Sequence, residues 1–223
     1  MRTFTNGDRD IVGFVNEFKL VTVDHLERLT GRNTVWRRLP LLLEQKQIFK
    51  KERGINEKYV YSSAPIKRRS LFTLEHDLMI TDIHVALHTT GKLIYWEQGK
   101  DTWKPKVHQD AFCTLEHPHR PDLMIDYFIE ADTGTQNHRT IALKLQTYLD
   151  YFDQQESPFR VIFATMSAAR AKNLARMAET CIEPERGKVF LFSAIPDFIQ
   201  NCFAPVCYLP CKSDLFSIFP GLA

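Results

Sequence analysis

The sequence predicts a mixed α/β (α+β) protein in two parts: a helical front part closed by a strand pair, and a back part built on a mixed β-sheet flanked by helices. Three observations carry this expectation. Residues 8–43 repeat apolar side chains at helical spacing between cap signals, and two short β-prone runs follow. Beyond residue 90, runs of strand-forming residues alternate with amphipathic segments. Charge is also divided: residues 1–70 hold 15 Lys and Arg against 8 Asp and Glu, while the remainder holds 14 against 19. A basic front half joined to an acidic back half reads as a nucleic-acid-binding module followed by something else.

A length of 223 residues suits one large or two small domains. The expected division is a first domain at 1–64, a second at 70–195, and a tail at 196–223 that packs on the second domain or on a partner. Hydrophobic residues form 44% of the chain, enough for a sizeable core. No apolar run reaches the ~20 residues of a membrane-spanning helix, so no membrane partner is expected. MRTFTNGDRD lacks a signal-peptide core, and the cytoplasm is the expected location. Five cysteines, an odd number in a chain of this length, read as reduced thiols. Cys202, Cys207 and Cys211 cluster near the end but lack the CxxC spacing of structural zinc sites.

In chain order, Ile11, Val12, Phe14, Val15 and Phe18 form a helical stripe over 8–18, with Asp8 as its cap. Thr22 opens a second helix that buries Val23, Leu26 and Leu29 and stops at Thr30-Gly31. Asn33 or Thr34 caps a third, which buries Trp36, Leu39, Leu42 and Leu43 and exposes Arg37 and Arg38. Pro40 removes one hydrogen bond within that helix and should kink it. Ile48–Arg53, a turn at Gly54-Ile55-Asn56, and Tyr59–Tyr61 read as strand, turn, strand. Three helices followed by such a ribbon make a winged helix-turn-helix, whose third helix enters the major groove of duplex DNA. Arg32, Thr34, Arg37 and Arg38 then lie on the groove side, and Lys50, Lys51, Arg53 and Lys58 on or beside the wing. The competing reading is a basic solvated bundle or a protein-binding module.

Ser62-Ser63-Ala64-Pro65 followed by Lys67-Arg68-Arg69 breaks periodicity and reads as a linker. A helix from about Thr73 to His88 opens the second domain, with Met79, Ile83, Ala86 and Leu87 inward. Leu93–Trp96 is its first strand. Arg160–Thr165 is an unbroken apolar strand of the kind buried on both faces. Ser167 caps a helix ending near Cys181, and Val189–Phe192 gives a last strand.

The chemistry concentrates in Pro121–Phe152. If the chain folds back around Ile125-Asp126-Tyr127, Asp122 faces Glu130 across a hairpin, and Asp132 joins them at i+2. Like charges facing each other repel, so such a pair is best stabilised by a hard divalent cation. The plain alternative is a set of surface carboxylates on one ordinary strand. After the turn residues Thr133-Gly134-Thr135, a helix buries Ile141, Leu145, Tyr148 and Phe152, and places Lys144 on its flank. A lysine beside metal-binding carboxylates is equipment for cutting a phosphodiester bond.

Pro121-Asp122, Glu130-Ala131-Asp132 and Lys144 resemble a variant of the PD-(D/E)XK nuclease core. Over roughly residues 8–180, including HDLMITDIHVAL and FIEADTGT, the chain resembles the replication-relaxation proteins of plasmids and related mobile elements. The resemblance implies a restriction-endonuclease-like mixed sheet behind the winged helix, with Asp122 and Glu130 as metal ligands. It fails at the third position, where Asp132 replaces the expected lysine. Either Lys144 takes that role from the helix, or the site is not catalytic. The expected function is that of a DNA-binding protein acting in replication, relaxation or mobilisation of a mobile element. If the protein is an enzyme, the reaction is hydrolysis dependent on Mg2+ or Mn2+. Asp122 and Glu130 then hold the ion, Asp132 assists or binds a second, and Lys144 orients water or steadies the phosphate. The alternative is a non-catalytic regulator or accessory factor whose degenerate nuclease-like domain serves dimerisation or partner docking. Double-stranded DNA, a second copy of the chain, and replication or mobilisation proteins are the expected partners.

Overall fold

The computed structural model describes residues 5–53, 59–66, 71–98, 108–117, 120–154, 159–183, 186–200 and 207–208. The chain divides into two compact units, Met1–Val85 and Ala86–Ala223.

The first unit contains α1 (Asn6–Phe18), β1 (Val21–Thr22), α2 (Val23–Thr30), α3 (Arg32–Glu44), β2 (Phe49–Lys51), β3 (Val60–Ser62) and most of α4 (Leu71–His88). Its three strands form an antiparallel sheet in the order β1-β3-β2. Local chemistry sets the helix ends. Thr5 caps α1, and Asp8 is not the cap but the reciprocal partner three residues in: its carboxylate accepts from the Thr5 N–H at 2.7 Å. Thr22 caps α2 as expected, with the His25 ring accepting from the Thr22 N–H at 3.2 Å. Gly31, at φ 88°, ends α2 and leads directly into α3, a backbone conformation that a side chain would strain. Neither Asn33 nor Thr34 caps α3; it begins at Arg32 with no side-chain cap.

The core of this unit is Ile11, Val15 and Phe18 of α1, Leu26 of α2, and Val35, Leu39 and Leu42 of α3, closed by Ile48, Tyr61 and Val85. Leu74 and Leu78 of α4 pack with Leu20 and Val60. The buried His25 reaches Asp82 of α4 through Nε2 at 2.6 Å. Because α4 fills this side of the core, the division of the chain falls inside that helix and not in the polar stretch after Ser62 that reads as a linker.

The second unit is built on a six-stranded mixed sheet in the order β4-β5-β6-β7-β8-β9: β4 (Leu93–Gln98), β5 (Ala111–His117), β6 (Arg120–Asp132), β7 (Phe159–Thr165), β8 (Phe190–Ala194) and β9 (Cys207–Tyr208). β4, β5 and β6 pair antiparallel; β6, β7 and β8 run parallel; β9 returns antiparallel. The parallel pairs require crossovers, supplied by α5 (His138–Phe152) and α6 (Ala168–Glu179). A short helix, α7 (Ile195–Gln200), follows β8, and the tail contributes the β9 edge strand. Tyr148, Leu145 and Ile141 of α5 and Leu174 of α6 pack on Phe128, Val161, Phe163, Phe190 and Phe192 of the sheet. Phe163 stacks on Phe192 with centroids 5.2 Å apart.

The expected hairpin around Asp126 does not form. β6 is one unbroken strand of 13 residues. Ile125 and Tyr127 are strand formers without turn chemistry. Asp126 sits opposite Thr114 of β5, whose hydroxyl donates to its carboxylate at 2.7 Å. The chain reverses instead between His117 and Arg120, which pair with each other. β5 is therefore the antiparallel partner of β6, a strand that the sequence analysis does not include.

Candidate functional site

The straightening of β6 separates the carboxylates that a hairpin would have joined. Asp122 and Glu130 lie eight residues apart on one strand, about 26 Å at the usual rise. Asp122 is exposed near the start of β6, whereas Glu130 and Asp132 are buried at its end, 2% and 1% exposed. Among the described residues no group of three or more His, Cys, Asp or Glu side chains is placed to hold a metal ion. The pocket of three acids is thus corrected to a different arrangement.

That arrangement gathers at the C-terminal ends of β6 and β7, where open α/β sheets commonly place their sites. Both oxygens of Glu130 are engaged from α5: Tyr148 donates its hydroxyl to Oε1 at 2.6 Å, and Lys144 donates from Nζ to Oε2 at 2.5 Å. The spacing of 144 and 148 is one helical turn, so a single face of α5 presents both donors. Lys144 keeps part of its side chain in solvent. The structure thus places Lys144, on the helix flank expected from its spacing, directly against Glu130.

The second carboxylate near Glu130 is Asp110, just before β5. Its Oδ2 accepts from the N–H of Ala131 at 2.9 Å, and its charge helps raise the Glu130 pKa. Burial is the largest cause of that shift; Lys144 and Tyr148 oppose it, and the Glu130 carboxyl rests at about 7. The Tyr148 hydroxyl is pushed well above its ordinary range, first by burial and then by the Glu130 charge. Asp110 was missed because the contact joins residues 21 apart in sequence. The available signal was QDAFCTLEH, an acid leading directly into a run of strand formers.

Asp132 is committed elsewhere. Arg170, in the first turn of α6, donates from Nε to Asp132 Oδ2 at 2.6 Å and from its second nitrogen to the Gln136 carbonyl at 2.9 Å. A buried charge needs such a partner. The other Asp132 oxygen accepts from the N–H of Gly134, at φ 88° in the turn after β6. The cluster is thus two units side by side, Glu130 with Lys144, Tyr148 and Asp110, and Asp132 with Arg170.

The residues expected to meet DNA fare differently from one another. On α3, Arg32 is 79% exposed, with Nε only at 4.0 Å from Glu27. Arg37 is exposed. Arg38 is engaged within the fold: its Nε donates to Asp8 Oδ1 at 2.7 Å and a second nitrogen bonds Oδ2, tying α3 to α1. That guanidinium holds the Asp8 carboxyl down at about 2. Thr34 is half-buried against α1, where its methyl sits so close to Gly7 that an added Cβ would lie 2.9 Å away. Trp36, expected in the core, is 58% exposed. Lys50 is exposed and lies over the Tyr59 ring, 4.7 Å from its centroid. Lys51 and Arg53 are half-buried. Lys58 and the turn at 54–56 lie outside the described residues, as do the side chains of Cys202, Cys207 and Cys211.

Fold and site together define a two-part α/β protein: a basic, mainly helical unit with a small antiparallel sheet, and a mixed-sheet unit carrying a buried carboxylate–lysine–tyrosine cluster. Over residues 62–164, from the end of β3 through β7, the chain matches the model of the replication-relaxation family, and the resemblance read from its sequence is borne out there. The matched stretch includes Asp110, Glu130, Asp132 and Lys144. Comparison with curated proteins and with solved structures gives no match. Among the described residues no helix is long and apolar enough to cross a membrane.

Proposed function

We propose that this protein is a DNA-binding component of a plasmid or other mobile element and acts in that element's replication or relaxation. The family match supports the setting. The observation that carries DNA binding is the outward face of α3, which bears Arg32, Trp36 and Arg37 in the basic half of the chain. In this reading the first unit is a winged helix-turn-helix. α3 enters the major groove, β2 and β3 form the wing, and Lys50, Lys51 and Arg53 meet phosphates. Arg38 and Thr34 instead hold α3 on α1. A filter-binding titration of the full-length protein on duplex DNA tests this: log affinity should fall linearly with log salt, by about 0.9 for each phosphate neutralised. Weak binding that is indifferent to salt would reject it. Sedimentation of the protein with and without duplex checks the expected homodimer.

The second unit is read as nuclease-like. In the catalytic form of this reading, Asp110 and Glu130 would hold Mg2+ or Mn2+ in place of the Asp122–Glu130 pair. Two carboxylates are what Mg2+ commonly takes from protein when water and phosphate complete its shell, so the donor set fits. The ion would supply Lewis-acid stabilisation of the phosphate. Lys144, anchored on Glu130 with its head partly in solvent, orients the attacking water or steadies the phosphate. Tyr148 fixes the rotamer of Glu130 from the buried side.

A second reading, a non-catalytic regulator or accessory factor, is favoured by two pairings. Both Glu130 oxygens already have donors, and Asp132 stands bound to Arg170 where the nuclease core has a lysine. Supercoiled plasmid with Mg2+ or Mn2+ separates the two. Nicking by the wild type that disappears in Glu130→Ala and Lys144→Ala supports catalysis; tight, salt-sensitive binding that leaves the plasmid intact supports the regulator.

A further inference from the structure

α3 fills its share of the core with Val35, Leu39 and Leu42, and turns its largest side chain the other way. Trp36 is 58% exposed, yet it is not loose: its Nε1–H donates to Glu27 Oε1 of α2 at 2.6 Å. Arg32, one turn earlier, and Arg37, next to it, are both exposed on this side of the helix. A large aromatic ring held in one orientation at the surface, between two arginines, is a contact prepared in advance.

We propose that Trp36 is a specificity-determining residue that reads the 5-methyl group of a thymine in the major groove. This rests on the reading of α3 as the groove helix. An indole has one polar atom, the ring N–H, and here Glu27 occupies it. The ring therefore has no hydrogen bond left to offer a base edge, only apolar surface. Among the groups that the four base pairs display in the major groove, the apolar one is the thymine methyl. The flanking Arg32 and Arg37 supply the charge that phosphates require, which favours a nucleic acid over an apolar protein partner. Glu27 is then a positioning residue: it fixes the ring and removes its polar atom from competition.

The test uses the full-length protein and duplex DNA. Preferred duplexes are enriched from a randomised pool, and the best is remade with deoxyuridine at each thymine in turn, which deletes only the methyl. At one or two positions the wild type should lose about fourfold in affinity, the worth of one buried methyl group. Trp36→Ala should be indifferent to the methyl at those positions while keeping the salt dependence of the wild type. Glu27→Gln, which retains an acceptor oxygen, should keep the wild-type discrimination for the methyl group, and Glu27→Ala should lose part of it. The uridine series on the wild type needs no variant to fold. If the wild type tolerates every uridine, or enriches a duplex without thymine, the proposal falls while DNA binding stands, and a protein partner for this face becomes the better account. If the wild type neither enriches a sequence nor binds DNA with salt dependence, both readings fall together.

Discussion

Glu130 is a glutamate where its charge is costly. It is 2% exposed, beside a second acid, Asp110, and burial outweighs the help it receives from Lys144 and Tyr148. Its pKa of about 7 in the fold, against an ordinary value of 4.5, sets the sign of a pH effect. A carboxyl raised by folding favours the protonated state. Its contribution to stability is fully present below pH ~4.5 and is lost as pH rises through about 7. Denaturant unfolding of the second unit should therefore weaken between pH 5 and pH 8, by up to about 3 kcal/mol from this group. In Glu130→Gln that slope should flatten; an equal slope in both proteins would show that some other group carries it. Glu130 itself was legible as a candidate from FIEAD, because an acid inside an apolar strand is conspicuous. Its neighbours were not, since Asp110 and Tyr148 reach it only after the strands pair and the helix crosses the sheet.

At the scale of elements, α3 shows what helical periodicity leaves undecided. Val35 and Trp36 are both apolar, and either phase of the stripe continues through Leu39 and Leu42 or Leu43. Packing against α1 and α2 chose Val35, and Trp36 was turned out. The same rotation separated the neighbouring arginines, leaving Arg37 exposed and bringing Arg38 to Asp8. Their variants should differ accordingly. Arg38→Ala should lower the unfolding free energy of the first unit by roughly 1.5–3 kcal/mol, the range for hydrogen bonds to a charged group. Asp8 has a depressed pKa, so the stability from this pair is present above pH ~3.8 and is lost as pH falls through about 2. Arg37→Ala should leave the melting temperature unchanged and reduce the salt slope of DNA binding by about one phosphate. A reversed pattern, with Arg37→Ala unstable and Arg38→Ala binding-defective, would contradict this placement of α3. β6 makes a related point. Its acids suggested two strands facing each other, but pairing with β5 and β7 on either side kept it whole.

For the whole molecule, the division inside α4 has a consequence for truncation. Leu74 and Leu78 cover Leu20 and Val60, Val85 completes the main core of the first unit, and Asp82 receives the buried His25. A fragment ending at residue 66 should expose those surfaces and fail to give a cooperative melt, whereas one ending at residue 90 should fold. Equal melting of the two would show that α4 contributes nothing to the first unit.

The sequence alone determined the features that rest on neighbours along the chain. These are the Thr22 cap, the stop at Gly31, the amphipathic α5 with Lys144 on its flank, the unbroken apolar β7, and the Ser167 cap of α6. Each depends on backbone groups and spacings within a few residues. Only the tertiary structure decided which carboxylates meet, which way α3 turns, and where the chain divides. Those outcomes depend on contacts such as Asp110 with Ala131, Arg170 with Asp132 and Arg38 with Asp8, made between residues 21 to 38 apart. Pairing and burial bring such residues together only once the fold exists, so no local pattern records them.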